Sequence, residues 1–375
     1  MKFNVPYVTG KEKEYIDEVF ENKFFSGNGE FTKRCQRFLE DQLEAPLVLL
    51  THSCTGALEM SAILSDIGPG DEVIMPSFTF VTTASSFMRS GAKPVFCEID
   101  PKTMMIDMDD AVSRITPRTK AIVPVHYSGC SPNMNEMKEI CDSNSVLMIE
   151  DAAQGLGSSY GGKPLGTFAP LSAISFHETK NIHSGLGGCL IVNDPDIADR
   201  AEIIWERGTN RSAFFKGLVD KYSWVEMGSS FYPSELQAAF LLAQLEGMQK
   251  NLDSRSEVWD LYSKNLSNHE DSGIIEVIRP SEDVNQNYHM FAILLQSSEQ
   301  ADEMRKFLNS EGVQAVIHYV PLHTSGMGEK MGYSATDLPI TTDAASRLLR
   351  LPLHSEISEK DVSFVSGLID RFFVE

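Results

Sequence analysis

The stretch Val146-Leu147-Met148-Ile149-Glu150-Asp151-Ala152-Ala153-Gln154 decides how the rest of the chain is read. A short apolar run without polar alternation is of strand length, and it is expected where helices cover both faces of a sheet. The run ends in two carboxylates and two small residues, at the position where α/β folds place their chemistry. Similar runs recur on both sides of it, at residues 47–50, 72–75, 94–97, 121–125, 173–176 and 189–192. Amphipathic stretches, such as 55–67 and 133–144, separate some of them. This spacing predicts an α/β fold built on a mostly parallel, seven-stranded sheet flanked by helices.

Beyond the last run the pattern changes. Residues 234–266 read as one long helical stretch, with Gly247 and residues 251–253 as candidate interruptions. A smaller α+β region then follows, with a strand at 289–295, a helix at 299–311, a strand at 313–320 and a last helix at 358–373. Ser358 and Asp361 have the spacing of an N-terminal capping box, with Asp in the position Glu usually fills. The reading divides the chain into a large domain, 1–245, and a small C-terminal domain, 246–375. A length of 375 residues suits two such units better than one.

Composition narrows the function classes. Hydrophobic residues make up 42% and charged residues 23%, as in folded globular proteins. Lys plus Arg is 32 and Asp plus Glu is 53, a formal net charge of −21. Without a basic run, such a chain repels nucleic acid and anionic membrane. A phosphate-bearing ligand must therefore be met by locally placed donors. The six cysteines are scattered, with neither C-x-x-C pairs nor zinc spacing, and read as reduced thiols in the cytoplasm. The N-terminus lacks the apolar core of a secretory signal, and no apolar run is long enough to span a bilayer. His318 and His323 stand five residues apart without a third ligand, so no metal site is expected.

Four segments carry candidate chemistry. A lysine that forms a Schiff base must reach an aldehyde and attack as the free amine. Lys180, in Ser175-Phe176-His177-Glu178-Thr179-Lys180-Asn181, lies just past a buried run and before Gly185-Leu186-Gly187-Gly188, where glycines let backbone approach a bulky ligand. Alone, such a lysine is ordinarily a surface charge. Pyridoxal phosphate is an electron sink only while its ring nitrogen is held protonated by a carboxylate. Asp151, followed by two alanines, suits that task; a helix cap or a turn is the ordinary alternative. Glu150 is the rival, but strand alternation puts it on the other face. Thr51-His52-Ser53-Cys54-Thr55-Gly56 leaves a strand and opens a helix, which suits a phosphate dianion as well as plain capping. Phe80, after the 72–75 run, is either core or a plate for the pyridine face.

Together these segments resemble the DegT/DnrJ/EryC1/StrS family of sugar aminotransferases, of fold type I. The resemblance runs from Phe25-Ser26-Gly27-Asn28-Gly29 to His318-Tyr319-Val320-Pro321-Leu322-His323. It implies that pyridoxal 5′-phosphate is the cofactor, that Lys180 carries it and that Asp151 pairs with its ring nitrogen. It places Cys54, Thr55 and Ser175 around the phosphate, Phe80 on the ring, Gln154 near the phenolic oxygen and His177 beside the cofactor. It also implies a homodimer with shared sites, glutamate as amino donor and a nucleotide-linked keto sugar as acceptor. Asn28, Arg211, His318 and Tyr319 are the candidate sugar-nucleotide contacts. The wording of residues 176–181, 208–212 and 220–222 is similar to members that convert dTDP-4-keto-6-deoxyglucose into the galacto-configured 4-amino sugar. Two positions depart from the family pattern. Leu186 stands where most members carry Glu, and Ser230 stands in a loop where many carry an Asn that reaches the neighbouring subunit's phosphate. Dehydratases of the family carry His in place of the lysine, so Lys180 argues against that chemistry. Lys180 and Asp151 together argue against a regulatory protein that kept only the fold.

Overall fold

Each of the seven apolar runs forms a strand, and their alternate side chains enter two different cores. We number them β1 (Leu47–Thr51), β2 (Glu72–Pro76), β3 (Lys93–Cys97), β4 (Thr119–Ile122), β5 (Leu147–Asp151), β6 (Leu171–Ser175) and β7 (Gly188–Val192). In β1, Leu49 packs with the helices Cys54–Leu64, Val81–Arg89 and Ala198–Trp205 on one face. Val48 and Leu50 pack with the helices Glu12–Asn22, Glu30–Leu43 and Glu235–Glu246 on the other. Cover on both sides is why the strands show no polar alternation. Each large apolar side chain so buried contributes roughly 1.5–3 kcal/mol.

The computed structural model describes residues 1–374. Its main sheet has the order β1-β7-β6-β5-β4-β2-β3. The pairs from β6 through β5, β4 and β2 to β3 are parallel, whereas β7 runs antiparallel to both β1 and β6. Two reversals cancel, so β1 again points the same way as β6. The carboxyl ends of β1, β2, β5 and β6 therefore open on one edge of the sheet, where such folds bind ligands. The run predicted at 121–125 pairs as a strand only to Ile122; beyond it, Pro124 accepts from the Asp151 N–H at 3.0 Å, and Val125 forms one bridge to Asp151.

The long helical stretch breaks once, at Gly247, between Glu235–Glu246 and Met248–Asn265. A Cβ at Gly247 would lie 2.5 Å from Thr9 Cγ2, so the break falls where the N-terminal segment crosses. Residues 251–253, the other candidate interruption, continue the helix; Asn251 is buried and donates to Asn181 O at 2.5 Å. A second, antiparallel sheet follows, of β8 (Glu276–Val277), β9 (Phe291–Leu294) and β10 (Leu348–Leu351). It has its own core, shared with the helices Met248–Asn265, Ser298–Ser310 and Glu359–Val374. Ser358 caps the last helix as its spacing predicts, exchanging bonds with Asp361 (2.9 and 3.3 Å).

The strand predicted at 313–320 does not form. Val313 and Ala315 are buried as a strand would require, but Val316 makes a single bridge, to Arg350. From there the chain leaves the sheet, with Ile317 and Val320 exposed and His318 and Tyr319 delivered to a cavity. Pro321, which has no N–H, cannot extend the ladder.

Candidate active site

The open edge of the main sheet and the end of β10 enclose a cavity of about 530 Å³. Cys54, Thr55, Phe80, Asp151, Gln154, Ser175, His177, Lys180, His318 and Tyr319, each singled out in the sequence, all line it.

One end of the cavity is the start of the helix Cys54–Leu64. Ser53 caps it, its hydroxyl oxygen accepting from Gly56 N at 3.1 Å. The Thr55 hydroxyl and the N–H groups of Cys54 and Thr55 have no protein partner, so this helix end has free donors for an anion. Gly188 is glycine for a steric reason: a Cβ there would lie 2.4 Å from Cys54 N. Burial pushes the Cys54 thiol well above its ordinary range, which disfavours the thiolate.

The two carboxylates of β5 have opposite surroundings. Glu150 turns away from the cavity. It accepts from Phe168 N (2.7 Å), Ala169 N (2.8 Å), Gly166 N (2.9 Å) and Ser172 Oγ (3.1 Å), and lies 2.7 Å from His126 Nε2. Burial alone would raise its pKa, but His126 and the backbone donors outweigh burial and hold it below the usual glutamate range. Asp151 faces the cavity with fewer partners, Thr83 Oγ1 at 2.7 Å and Ala153 N at 3.2 Å. Burial, the largest influence, pushes its pKa above the usual aspartate value, against those bonds and nearby Lys180.

Lys180 is half-buried and forms part of the cavity wall. Burial lowers its pKa, Cys54 and Asp151 oppose that shift, and Arg350 reinforces it. A lysine so placed keeps more of the free amine that nucleophilic attack needs. The turn that carries it is fixed by Lys180 N donating to His177 O at 2.8 Å. The next residue, Asn181, donates to Asn287 O at 2.7 Å.

Aromatic and amide groups form the remaining wall. Phe80 is 54% exposed on the cavity wall, leaving a ring face open to a ligand, and its ring lies 6.2 Å from that of Tyr319. Gln154 accepts from Ser128 N at 2.7 Å and donates to Tyr319 Oη at 3.2 Å. His318 sits beside Tyr127, and burial lowers its pKa to about 2, so it is neutral. His323 is elsewhere, packed between Ser77 (2.6 Å) and Thr342 (3.0 Å) as a structural histidine. Leu186 occupies the cavity wall with its side chain 52% exposed.

Three predicted residues are not brought here. Asn28 and Arg211 line a different cavity, of about 550 Å³. There Asn28 donates to Glu206 Oε1 at 2.9 Å and Arg211 lies 3.5 Å from the same oxygen. Ser230 is exposed and lines neither cavity, its backbone bridging to Glu206.

Residues 6–370 match the sequence profile of the DegT/DnrJ/EryC1/StrS aminotransferase family. The chain belongs to that family. Two curated relatives agree along nearly their whole length. One is the GDP-perosamine synthase of Escherichia coli O157:H7, 30% identical over 372 residues, covering 98% of this chain and 97% of that one. The other is the dTDP-4-dehydro-2,3,6-trideoxy-D-glucose 4-aminotransferase of Saccharopolyspora spinosa, 29% identical over 372 residues, covering 96% and 94%. Among solved structures, the aminotransferase TlmJ of Streptoalloteichus hindustanus superposes with a TM-score of 0.90 at 28% identity, over 100% of this chain and 99% of that one. The pyridoxal-phosphate form of a putative sugar aminotransferase from Streptococcus pneumoniae, 24% identical with a TM-score of 0.91 over 99% of both chains, has the same fold. This family member is a pyridoxal-phosphate-dependent sugar aminotransferase.

The cavity fits that cofactor. It presents an amine disfavoured as a cation, a buried carboxylate, a helix end with free donors and an uncovered aromatic face. Among the described residues no cluster of His, Cys, Asp or Glu is arranged to hold a metal ion, and no helix is long and apolar enough to cross a membrane. Sequence reasoning missed Thr83, His126, Tyr127, His289 and Arg350, all at the cavity or touching its residues. Thr83, three residues after Phe80, left no distinguishing signal. Arg350 did leave one, since a lone charge inside the apolar run Leu348-Leu349-Arg350-Leu351-Pro352-Leu353 implies a buried cation.

Proposed function

We propose that the protein moves the amino group of glutamate to C4 of dTDP-4-keto-6-deoxyglucose, releasing dTDP-4-amino-4,6-dideoxygalactose. The observation that carries the reading is Lys180 and Asp151 lining one cavity, the amine disfavoured as a cation and the carboxylate buried. The acceptor rests on the similarity of residues 176–181, 208–212 and 220–222 to members with that activity, and is supported by a relative named for 4-amination of a dTDP-linked sugar. Amination with gluco configuration, or at C3, is the alternative outcome of the same chemistry.

When bound, the cofactor supplies a ring that takes up the electron pair left by a departing proton. The chain does the rest. The donors of Cys54 and Thr55, with Ser175 on the same cavity wall, would hold the phosphate, and His177 would stand beside the cofactor. Phe80 covers the ring, and Gln154, held by Ser128 and Tyr319, borders its phenolic oxygen. The carboxylate of Asp151, steadied by Thr83, holds a proton at the ring nitrogen. Lys180 Nζ would take the proton from the donor carbon and deliver it to the C4′ carbon of the cofactor within the same half-reaction, and would run that transfer in reverse toward the sugar carbon in the other. The apolar wall of Phe3, Met290, Leu351 and Leu353 excludes water from this transfer.

A homodimer and a division near residues 245/246 belong to the same proposal. Phe215, Leu218, Trp224 and Met227 are each more than 70% exposed in one stretch, an apolar surface that a second copy would cover. Ser230 follows that stretch, and in such a dimer its hydroxyl would take the place of the Asn that many members extend to the neighbouring subunit's phosphate. The six free thiols suit a cytoplasmic location. Incubation with pyridoxal phosphate, glutamate and dTDP-4-keto-6-deoxyglucose, followed by NMR of the product, tests the reading. An axial C4 amine supports it, and an equatorial amine moves the product to the gluco series. A cofactor that glutamate aminates without any sugar product refutes the acceptor.

A further inference from the structure

Two cations on the wall of the 530 Å³ cavity, Lys180 and Arg350, have no side-chain hydrogen bond or ion pair among the described residues. Lys180 is accounted for by the cofactor. Arg350 is not. Its backbone is fixed on β10, with Arg350 N donating to Val316 O at 2.9 Å and Arg350 O accepting from Val316 N at 3.2 Å. Its guanidinium lies 4.5 Å from the centre of the Phe3 ring, a contact that packs the cation without offering an acceptor. Its Nε is buried and makes no hydrogen bond. The electrostatic neighbours are Tyr127, Tyr319, Lys180 and His318. Burial keeps both phenols protonated and the imidazole neutral, so none of them is an anion.

An arginine keeps its charge at any working pH, and a buried charged donor without a partner is costly. A fold retains such a group where a ligand brings the counter-charge, and the planar fork of arginine matches a carboxylate. Position selects which anion. Arg350 is close enough to Lys180 to disfavour its protonation. The substrate carbon that exchanges a proton with Lys180 Nζ must lie against that atom. In an amino acid that carbon carries the carboxylate directly, whereas in a nucleotide-linked keto sugar the diphosphate is across the ring from C4. The phosphate of the cofactor has its own donors at the helix Cys54–Leu64.

We infer that Arg350 binds the α-carboxylate of the amino-acid donor, orienting the donor carbon toward Lys180. The inference rests on the transaminase reading and adds the donor subsite to it. It makes Arg350 a group engaged in the glutamate half-reaction and idle in the sugar half-reaction.

The test separates the two halves in the holoenzyme, using wild type, Arg350→Met and Arg350→Lys. Glutamate is varied while the cofactor spectrum reports its amination, and the aminated enzyme is then mixed with keto sugar alone. Binding of glutarate, an unreactive dicarboxylate, is measured by competition, and cofactor affinity is measured on the apoprotein. For Arg350→Met we expect half-saturation by glutamate to rise about tenfold or more, as loss of a charge-assisted pair predicts, with glutarate weakened in parallel. The sugar half-reaction and cofactor affinity should stay within about threefold. Arg350→Lys should recover part of the glutamate affinity, because it keeps the charge and loses the fork. An unchanged glutamate dependence overturns the inference. So does a loss confined to the sugar half-reaction or to cofactor binding, which would give the guanidinium to the sugar nucleotide or the phosphate. If wild type itself fails to be aminated by glutamate, the transaminase reading falls and the donor subsite with it.

Discussion

The two cavities have nearly the same volume, about 530 and about 550 Å³, yet their charges are treated in opposite ways. In the larger one, Arg211 and Asn28 share Glu206, and Lys216 and Ser212 share Glu202 at 2.8 Å; the second Glu206 oxygen is buried without a hydrogen bond. In the smaller one, Lys180 and Arg350 make no ion pair among the described residues, and Asp151 is buried with Thr83 and Ala153 as its hydrogen-bond donors. Volume therefore does not mark the site; unmet charge does. The same contrast repeats within β5, where Glu150 is saturated with donors and Asp151, the next residue, is not.

The contrast can be tested residue by residue. Lys180→Ala should lower turnover by about a thousandfold or more, the scale of losing a positioned acid–base group, and a rate near wild type would dissolve the distinction between the cavities. Glu150→Ala should cost ~3–5 kcal/mol of stability, because it strands His126 and three backbone donors. Since the folded pKa of Glu150 is held down, its contribution is present above the ordinary value near ~4 and fades as pH falls through the folded value. Melting curves across that range should show the gap between wild type and variant narrowing in acid.

Asp151→Asn should behave in the reverse way. Turnover should fall by about a hundredfold or more. The apoprotein should be at least as stable as wild type at neutral pH, because burial penalises the ionised aspartate. That advantage should shrink as pH falls through the raised folded value toward the ordinary one near ~4. A variant that loses stability but keeps its rate would make Asp151 the structural carboxylate of the pair. The smallest effect on turnover is expected in the second cavity: Arg211→Ala should leave turnover within about tenfold, while lowering stability because its partner Glu206 is buried and would lose the cation paired with it. A larger loss in steady-state kinetics would make that cavity part of a site.

Legibility followed the same physical division. All seven strands of the main sheet were readable, because cover on both faces writes an uninterrupted apolar run. The residues at the ends of those strands were readable too, since Asp151, Ser175 and Lys180 lie a fixed few positions beyond a strong signal. What failed were segments whose fate is set by distant neighbours. Residues 313–320 look like a strand, but they serve to carry His318 and Tyr319 into the cavity. Gly247 breaks its helix because Thr9 crosses there, whereas 251–253 stay helical because Asn251 anchors to Asn181. Asn28 and Arg211 are a different case: both meet Glu206 in the second cavity, far from Asn28 in sequence, and their contact with substrate stays a proposal. Arg350 was visible as a charge in an apolar run, but only the fold reveals that no carboxylate among the described residues pairs with it.

The most direct test is to reduce the reconstituted holoenzyme with borohydride and map the modified peptide by mass spectrometry. The account predicts one pyridoxyl group per chain, on Lys180, and none in Lys180→Ala. Modification of another lysine, or none in wild type, would contradict the assignment of this cavity as the active site.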